Sequence, residues 1–100
     1  MREFIADYLT SAQKLGAELG AATTAGDGAQ VKAIAHKLKS SSRTVGAATL
    51  AELCASLEQA GQTGDQSAIR QGMADFEIAL RAVVAECRAW LKKNKKGEQT

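Results

Sequence analysis

Apolar residues recur at intervals of three and four along four separate stretches of this chain, and that spacing restricts its fold more than any other feature. The spacing places apolar side chains on one face of an α-helix, whereas a half-buried β-strand would alternate strictly. We therefore predict helices at about residues 3–23, 29–45, 47–60 and 66–94, with no proline inside any of them. Four amphipathic helices joined by short loops bury their apolar faces most simply as an antiparallel up-down four-helix bundle, so the predicted class is all-α.

The segments on either side of the second helix carry start and stop signals. Asp27, followed three residues later by Gln30, matches the capping box that begins many helices. Gly46 supplies the backbone freedom for a tight turn before the third helix. A further loop is predicted at residues 61–65, between the third and fourth helices.

Charge divides the chain into a body and a tail. The sequence has 100 residues with 45% hydrophobic content, which suits one compact domain. Of its 13 basic residues, four lysines lie between residues 92 and 96, and the other nine are outnumbered by 11 acidic residues, so the body is slightly acidic. We predict a bundle over residues 1–91 and a disordered, lysine-rich tail over residues 92–100, because short runs of like charge are usually solvated.

No apolar run approaches the roughly 20 residues that span a bilayer, and the amino terminus lacks a secretory signal pattern. A cytoplasmic location without membrane contact is therefore expected. Cys54 and Cys87 both fall on apolar positions of their helices, so we interpret them as small buried hydrophobes rather than as a disulfide framework or a zinc site. A bridge between these two cysteines stays open at this point.

His36 is the only histidine, and the second helix turns it away from the core. At about 100° per residue, the aliphatic positions fall within about 40° of the pole opposite His36. That buried pole comprises Val31, Ile34, Leu38, Ser41 and Val45. The imidazole is thus predicted on the solvent face, among small side chains and cations: Ala29, Lys32, Ala33, Lys39, Ser40 and Arg43.

The surroundings of His36 favour chemistry over packing. No acidic residue occurs from residue 30 to residue 51, although Lys32, Lys39 and Arg43 lie there on the histidine face. Such neighbours disfavour a further positive charge on the ring, which keeps a nitrogen lone pair available for nucleophilic attack. The same cations could hold the oxygens of an attached phosphoryl group. This positive charge is too local to indicate nucleic-acid binding.

Around His36 the sequence resembles the signature of histidine-containing phosphotransfer (HPt) domains, which are four-helix bundles of phosphorelays. The resemblance is close over the two central helices and extends as a pattern over about residues 4–91. The residues that carry it are Ala35, His36, Lys37, Leu38, Lys39, Ser40, Ser41, Ser42, Gly46, Ala47, Leu50, Leu53, Cys54, Leu57 and Glu58.

This resemblance implies that His36 receives a phosphoryl group on Nε2 from an aspartate of one receiver domain and passes it to another receiver domain. It also implies that Lys39 steadies the phosphoryl oxygens and that Gly46 shapes the turn between the central helices. The position after that lysine is most often glycine in the family, whereas here it is Ser40. The expected partner-binding surface consists of Ala29, Lys32, Ala33, Ser40 and Arg43.

The expected partners and cofactors follow from the motifs that the sequence lacks and from the family that it resembles. The sequence has no nucleotide-binding motif and no carboxylate cluster on the histidine helix, so we expect a phosphocarrier without its own ATP site, metal or cofactor. The resemblance implies that Mg²⁺ belongs to the partner receiver domain of a response regulator. A hybrid sensor histidine kinase is a further candidate partner, either as a separate protein or as the parent of this domain. A monomer is expected.

Two other classes of function remain open. In the first, the chain is a non-catalytic helical adaptor that docks a receiver or kinase domain through the His36 face. In the second, the lysines of residues 92–96 bind nucleic acid or anionic lipid and the bundle is only a carrier. The presence of both His36 and Lys39 favours phosphotransfer over the adaptor.

Overall fold

A computed structural model describes the backbone of residues 2–98 and the side chains of residues 2–94, and it contains four α-helices within that part of the chain. They are α1 (Arg2–Ala25), α2 (Gly28–Thr44), α3 (Ala48–Thr63) and α4 (Gln66–Glu98). Each helix packs against two neighbours, in the cyclic order α1, α2, α3, α4. The predicted all-α, antiparallel up-down four-helix bundle is confirmed.

The core is a single cluster to which all four helices contribute. Burial of each large aliphatic or aromatic side chain contributes about 1.5–3 kcal/mol to folding, before conformational entropy is subtracted. The largest fully buried side chains are those of Phe76, Leu19, Leu38, Leu50, Leu57, Ile69 and Val31.

Local signals fix the ends of α2. The Asp27 carboxylate accepts a hydrogen bond of 3.1 Å from the backbone N–H of Gln30, so the predicted N-cap is present. The return half of the predicted capping box is replaced, because the backbone N–H of Asp27 donates to the carbonyl of Ala22 at 3.0 Å. At the other end Gly46 has a φ of 81°, a left-handed conformation that a side chain disfavours. The N–H of Ala47 then donates to the carbonyl of Ser42 at 2.8 Å, which closes the turn into α3.

The loop predicted at residues 61–65 is shorter in the structure, because α3 continues to Thr63. Gly61 is buried inside this helix, where it packs against the first turn of α2. A Cβ on Gly61 would lie 2.6 Å from the carbonyl oxygen of Gly28 and 2.8 Å from the backbone nitrogen of Lys32. This glycine therefore permits close helix packing and does not end the helix.

The buried face of α2 is rotated slightly from its predicted centre. Ser42 is fully buried, whereas Ser41 and Val45 are only half-buried. The reason lies in α1, since the hydroxyls of Tyr8 and Ser42 are hydrogen-bonded at 2.9 Å inside the core. A buried hydroxyl needs such a partner, and Ser42 finds one on the neighbouring helix, whereas the Ser41 hydroxyl donates to carbonyls of its own helix.

The longest helix, α4, has 33 residues and continues past residue 91, the predicted end of the bundle, to Glu98. Residues 99 and 100 of the predicted tail lie outside the described residues, and the boundary between bundle and tail stays a prediction. Among the described residues, no helix is both long and apolar enough to cross a membrane.

Both cysteines are free thiols. Cys54 is buried and Cys87 is half-buried. Burial raises the pKa of the Cys54 thiol to about 12, so this side chain stays protonated. The interpretation of Cys54 as a small core residue is thus consistent with its environment.

Candidate functional site

His36 projects from the middle of α2 into solvent, with 61% of its side chain exposed. The ring lies beside a shallow depression formed by α2 and α3. Its other lining residues are Ala29, Lys32, Ala33, Lys37 and Glu58. The predicted orientation of the histidine, away from the core, matches this geometry.

A carboxylate from α3 stands between His36 and Lys39. The Oε2 atom of Glu58 lies 3.1 Å from Nδ1 of His36, and its Oε1 atom accepts a hydrogen bond of 2.6 Å from Nζ of Lys39. The hydrogen bond from Lys39 is the main cause that holds the pKa of Glu58 below its ordinary value, and the imidazole adds to it. Glu58 is therefore a charged acceptor at neutral pH.

The hydrogen bond to Glu58 decides which ring nitrogen is nucleophilic. A carboxylate can only accept, so Nδ1 must carry the proton and donate it to Oε2. In a neutral imidazole the other nitrogen, Nε2, then holds the lone pair. An oriented ring whose free nitrogen is open to solvent can attack an electrophile that a partner presents.

Lys39 lies in a different environment from the one predicted. The helical wheel of α2 placed it on the solvent face, but only 16% of its side chain is exposed because it lies against Glu58. The positive surroundings predicted for His36 likewise contain one acidic group. A wheel drawn for a single helix cannot show what the neighbouring helix contributes.

Glu58 is the site residue that the sequence reasoning missed as a functional group. It lies 22 residues after His36, on the next helix. One signal was present, because Leu57 and Glu58 belong to the stretch that resembles HPt domains. Nothing in the periodicity of α3 distinguishes this glutamate from a solvent-exposed one.

The predicted partner-binding residues divide into two groups. Ala29, Lys32 and Ala33 line the depression beside His36. Ser40 and Arg43 are exposed further along α2 and do not line it. Ser40 directs its hydroxyl at the His36 carbonyl, 3.4 Å away, so it is small and turned towards its own helix.

Two glycines bring the helices of the site together. A Cβ on Gly28 would lie 2.6 Å from the carbonyl oxygen of Gly61, and the reverse contact is equally short. This close approach of α2 and α3 occurs next to Lys32, one turn before His36. It brings a side chain of α3 within hydrogen-bond distance of a ring on α2. As for metals, no group of three or more His, Cys, Asp and Glu side chains within the described residues is placed to hold an ion.

A four-helix bundle that presents one oriented, exposed histidine from a central helix has the features of a helical phosphocarrier. The family model described as Hpt domain matches residues 3–90, and the chain belongs to this family. Hpt domains are phosphocarriers of histidine phosphotransfer in phosphorelays, and they interact with the receiver domains of response regulators. No curated protein and no solved structure matches the chain significantly.

Proposed function

We propose that His36 is the residue of this Hpt domain that becomes phosphorylated, and that it carries the phosphoryl group from an aspartate of one receiver domain to an aspartate of another. The observation that carries the proposal is the orientation of the ring. Nδ1 is bound to Glu58, and the ring is 61% exposed beside an open depression.

The chemistry is a transfer between oxygen and nitrogen. The lone pair on Nε2 of His36 attacks the phosphorus of the donor's aspartyl phosphate, the P–N bond forms, and the P–O bond breaks with its electron pair returning to the aspartate carboxylate. The second transfer reverses these steps on the acceptor. Positioning does most of the work, because the reacting atoms must approach to within about 3.5 Å. The partner receiver domain supplies the Mg²⁺.

Lys39 is proposed to stabilise the phosphoryl oxygens. Its ammonium already shares the Glu58 carboxylate with His36 and has three N–H donors, so it can keep the bond to Glu58 and offer another donor to an anion on Nε2. Hydrogen bonds from ammonium groups to phosphoryl oxygens are charge-assisted and therefore stronger than neutral ones. Lys32 and Lys37, which border the depression, add positive charge there.

The proposed docking surface combines small side chains with positive charge. Ala29, Ala33 and Ser40 leave room for a partner to reach the ring, and Lys32 and Arg43 complement an acidic receiver pocket. Ser40 stands where the family most often has glycine, and its hydroxyl is turned to its own backbone, which leaves the approach open.

The chain is proposed to act as a monomer in the cytoplasm. The His36 ring is oriented by Glu58 of its own chain, so the proposed chemistry needs no residue of a second copy. The free thiols of Cys54 and Cys87 suit a reducing compartment.

The first prediction concerns the phosphorylated residue. The chain is incubated with a phosphorylated receiver domain and examined by intact mass. We expect a gain of one phosphoryl group that is acid-labile and alkali-stable, and no gain in His36→Gln. Lys14→Gln, an exposed charge on α1, is the matched control and should behave as the wild type.

Uptake by His36→Gln would rule out His36 as the carrier. The non-catalytic adaptor is the second candidate, because the same exposed face can bind without chemistry. Binding of receiver domains by the wild type, with no phosphoryl uptake from any of them and a helical circular dichroism spectrum, would favour the adaptor.

A further inference from the structure

The contact between Glu58 and His36 also affects the loaded state, in which His36 already carries the phosphoryl group. We propose that Glu58 is a positioning residue that retains the proton on Nδ1 of phosphorylated His36, and that this retained proton keeps the phosphoryl group transferable. The inference rests on the proposed function, since it presupposes a phosphoryl group on Nε2.

The reason lies in the leaving group. When the P–N bond breaks, its electron pair returns to Nε2. With a proton on Nδ1 the ring leaves as neutral imidazole, whereas without it the ring would leave as the much more basic imidazolate. Attack by Nε2 creates the loaded ring with the proton on Nδ1 still in place. Only the loss of this proton to solvent must therefore be prevented. No further reactant is needed.

The contacts around the ring show which group can prevent that loss. The charged and titratable side chains near His36 come from α2 and α3. Lys32 and Lys37 on α2 are cations, which favour loss of a ring proton. Glu58 on α3 accepts the Nδ1–H bond at 3.1 Å.

Two further groups define the state of Glu58. Lys39 donates to its other oxygen at 2.6 Å and keeps the pKa of the carboxyl low, so the acceptor stays ionised over the working range. Cys54, one turn before Glu58 on α3, is buried, and its raised pKa keeps it neutral. A charge-assisted hydrogen bond of this kind holds a proton more strongly than a neutral acceptor does.

A competing account would have Glu58 act by repelling the phosphoryl group. Both accounts predict that the loaded state lasts longer when Glu58 is neutralised. Repulsion changes the rate by one constant factor wherever the carboxyl is ionised. Proton retention changes the rate only at pH values at which the ring would otherwise lose its Nδ1 proton, so its effect depends on pH.

The test compares wild type with Glu58→Gln. An amide can donate as well as accept, so it no longer favours the proton on Nδ1. Each chain is loaded with phosphoramidate, which needs no partner, and is then freed of the donor. Loss of the phosphoryl group to water, and its transfer to one receiver domain, are followed by intact mass from about pH 5 to about pH 9. Glu52→Gln, an exposed glutamate on α3, is the control.

We expect both rates in Glu58→Gln to fall roughly tenfold below wild type at alkaline pH and to converge with wild type at acid pH. Glu52→Gln should follow the wild type throughout. Glu58→Asp keeps the charge with a shorter reach, and its profile should lie between the two. It also provides the comparison should Glu58→Gln unfold.

Superimposable pH profiles, or profiles that differ by a constant factor, would overturn the inference while leaving the proposed function intact. A different failure belongs to the proposed function itself, namely a wild-type chain that takes up no label, or a His36→Gln variant that takes up as much. The two ideas are therefore tested separately.

Discussion

At the scale of single residues, the Tyr8–Ser42 pair links α1 to α2 inside the core. Ser42 is fully buried and Tyr8 is 4% exposed, and their hydroxyls lie 2.9 Å apart. Desolvation raises the pKa of Tyr8, although the hydrogen bond to Ser42 opposes part of this effect. Leaving a buried hydroxyl without a partner costs about 1–3 kcal/mol, so each group depends on the other.

We predict that Tyr8→Phe lowers the free energy of unfolding by about 1–3 kcal/mol, because it leaves the Ser42 hydroxyl buried without its partner. Ser42→Ala in the Tyr8→Phe background should cost less than Ser42→Ala alone. Urea unfolding of the four chains in a double-mutant cycle measures this coupling. Additive changes would show that the hydrogen bond contributes no stability of its own.

At the scale of the elements, the α2–α3 contact determines how close the two halves of the site lie. Gly28 and Gly61 meet with no side chain between them, and an added Cβ on either would lie 2.6 Å from a carbonyl oxygen of the other helix. Backbone cannot move aside as a flexible side chain can. The helices must therefore separate if either glycine gains a methyl group, and His36 would move away from Glu58.

We predict that Gly61→Ala destabilises the bundle by about 1–3 kcal/mol through overpacking and slows phosphoryl uptake. Gly20→Ala on α1 is the matched control, because a Cβ there meets nothing within 4 Å. It should stabilise the chain by about 0.5–1 kcal/mol by raising helix propensity. Thermal unfolding and the rate of uptake measure both effects, and equal behaviour of the two variants would contradict the packing argument.

At the scale of the whole molecule, the described part of α4 adds no lining residue to the depression beside His36. The groups that surround His36 come from α2 and α3, whereas α4 continues to Glu98. The sequence thus carries two groups of basic residues, one on the histidine helix and one at residues 92–96. Only the charge near the reacting atom is expected to speed encounter with an acidic receiver pocket.

We predict that deleting residues 92–100 leaves the rate of phosphoryl uptake unchanged and leaves its decrease with added salt unchanged. Lys32→Gln should lower the rate and weaken the salt dependence, because this lysine borders the depression beside His36. Uptake from a phosphorylated receiver domain at low and high ionic strength gives both quantities. A deletion that abolished the salt dependence would instead favour the cationic tail as the binding element.

The sequence by itself determined the four helices, the cap at Asp27 and the exposed direction of His36. These features depend on residues within one helix or one turn, where spacing alone sets the geometry. The resemblance added the family, which the match over residues 3–90 confirms. The residues of the site, His36 among them, stay proposals.

Only the tertiary structure decided which side chains meet across helices. Gly61 packs on Gly28 with no side chain between them, and one turn away on α3 Glu58 contacts both His36 and Lys39, so that Lys39 is largely covered. Burial of Ser42 in place of Ser41 likewise depends on a hydroxyl of α1. Periodicity specifies which face of a helix is apolar, but it does not specify which residue of the neighbouring helix lies opposite a given position, because that depends on the packing of two surfaces.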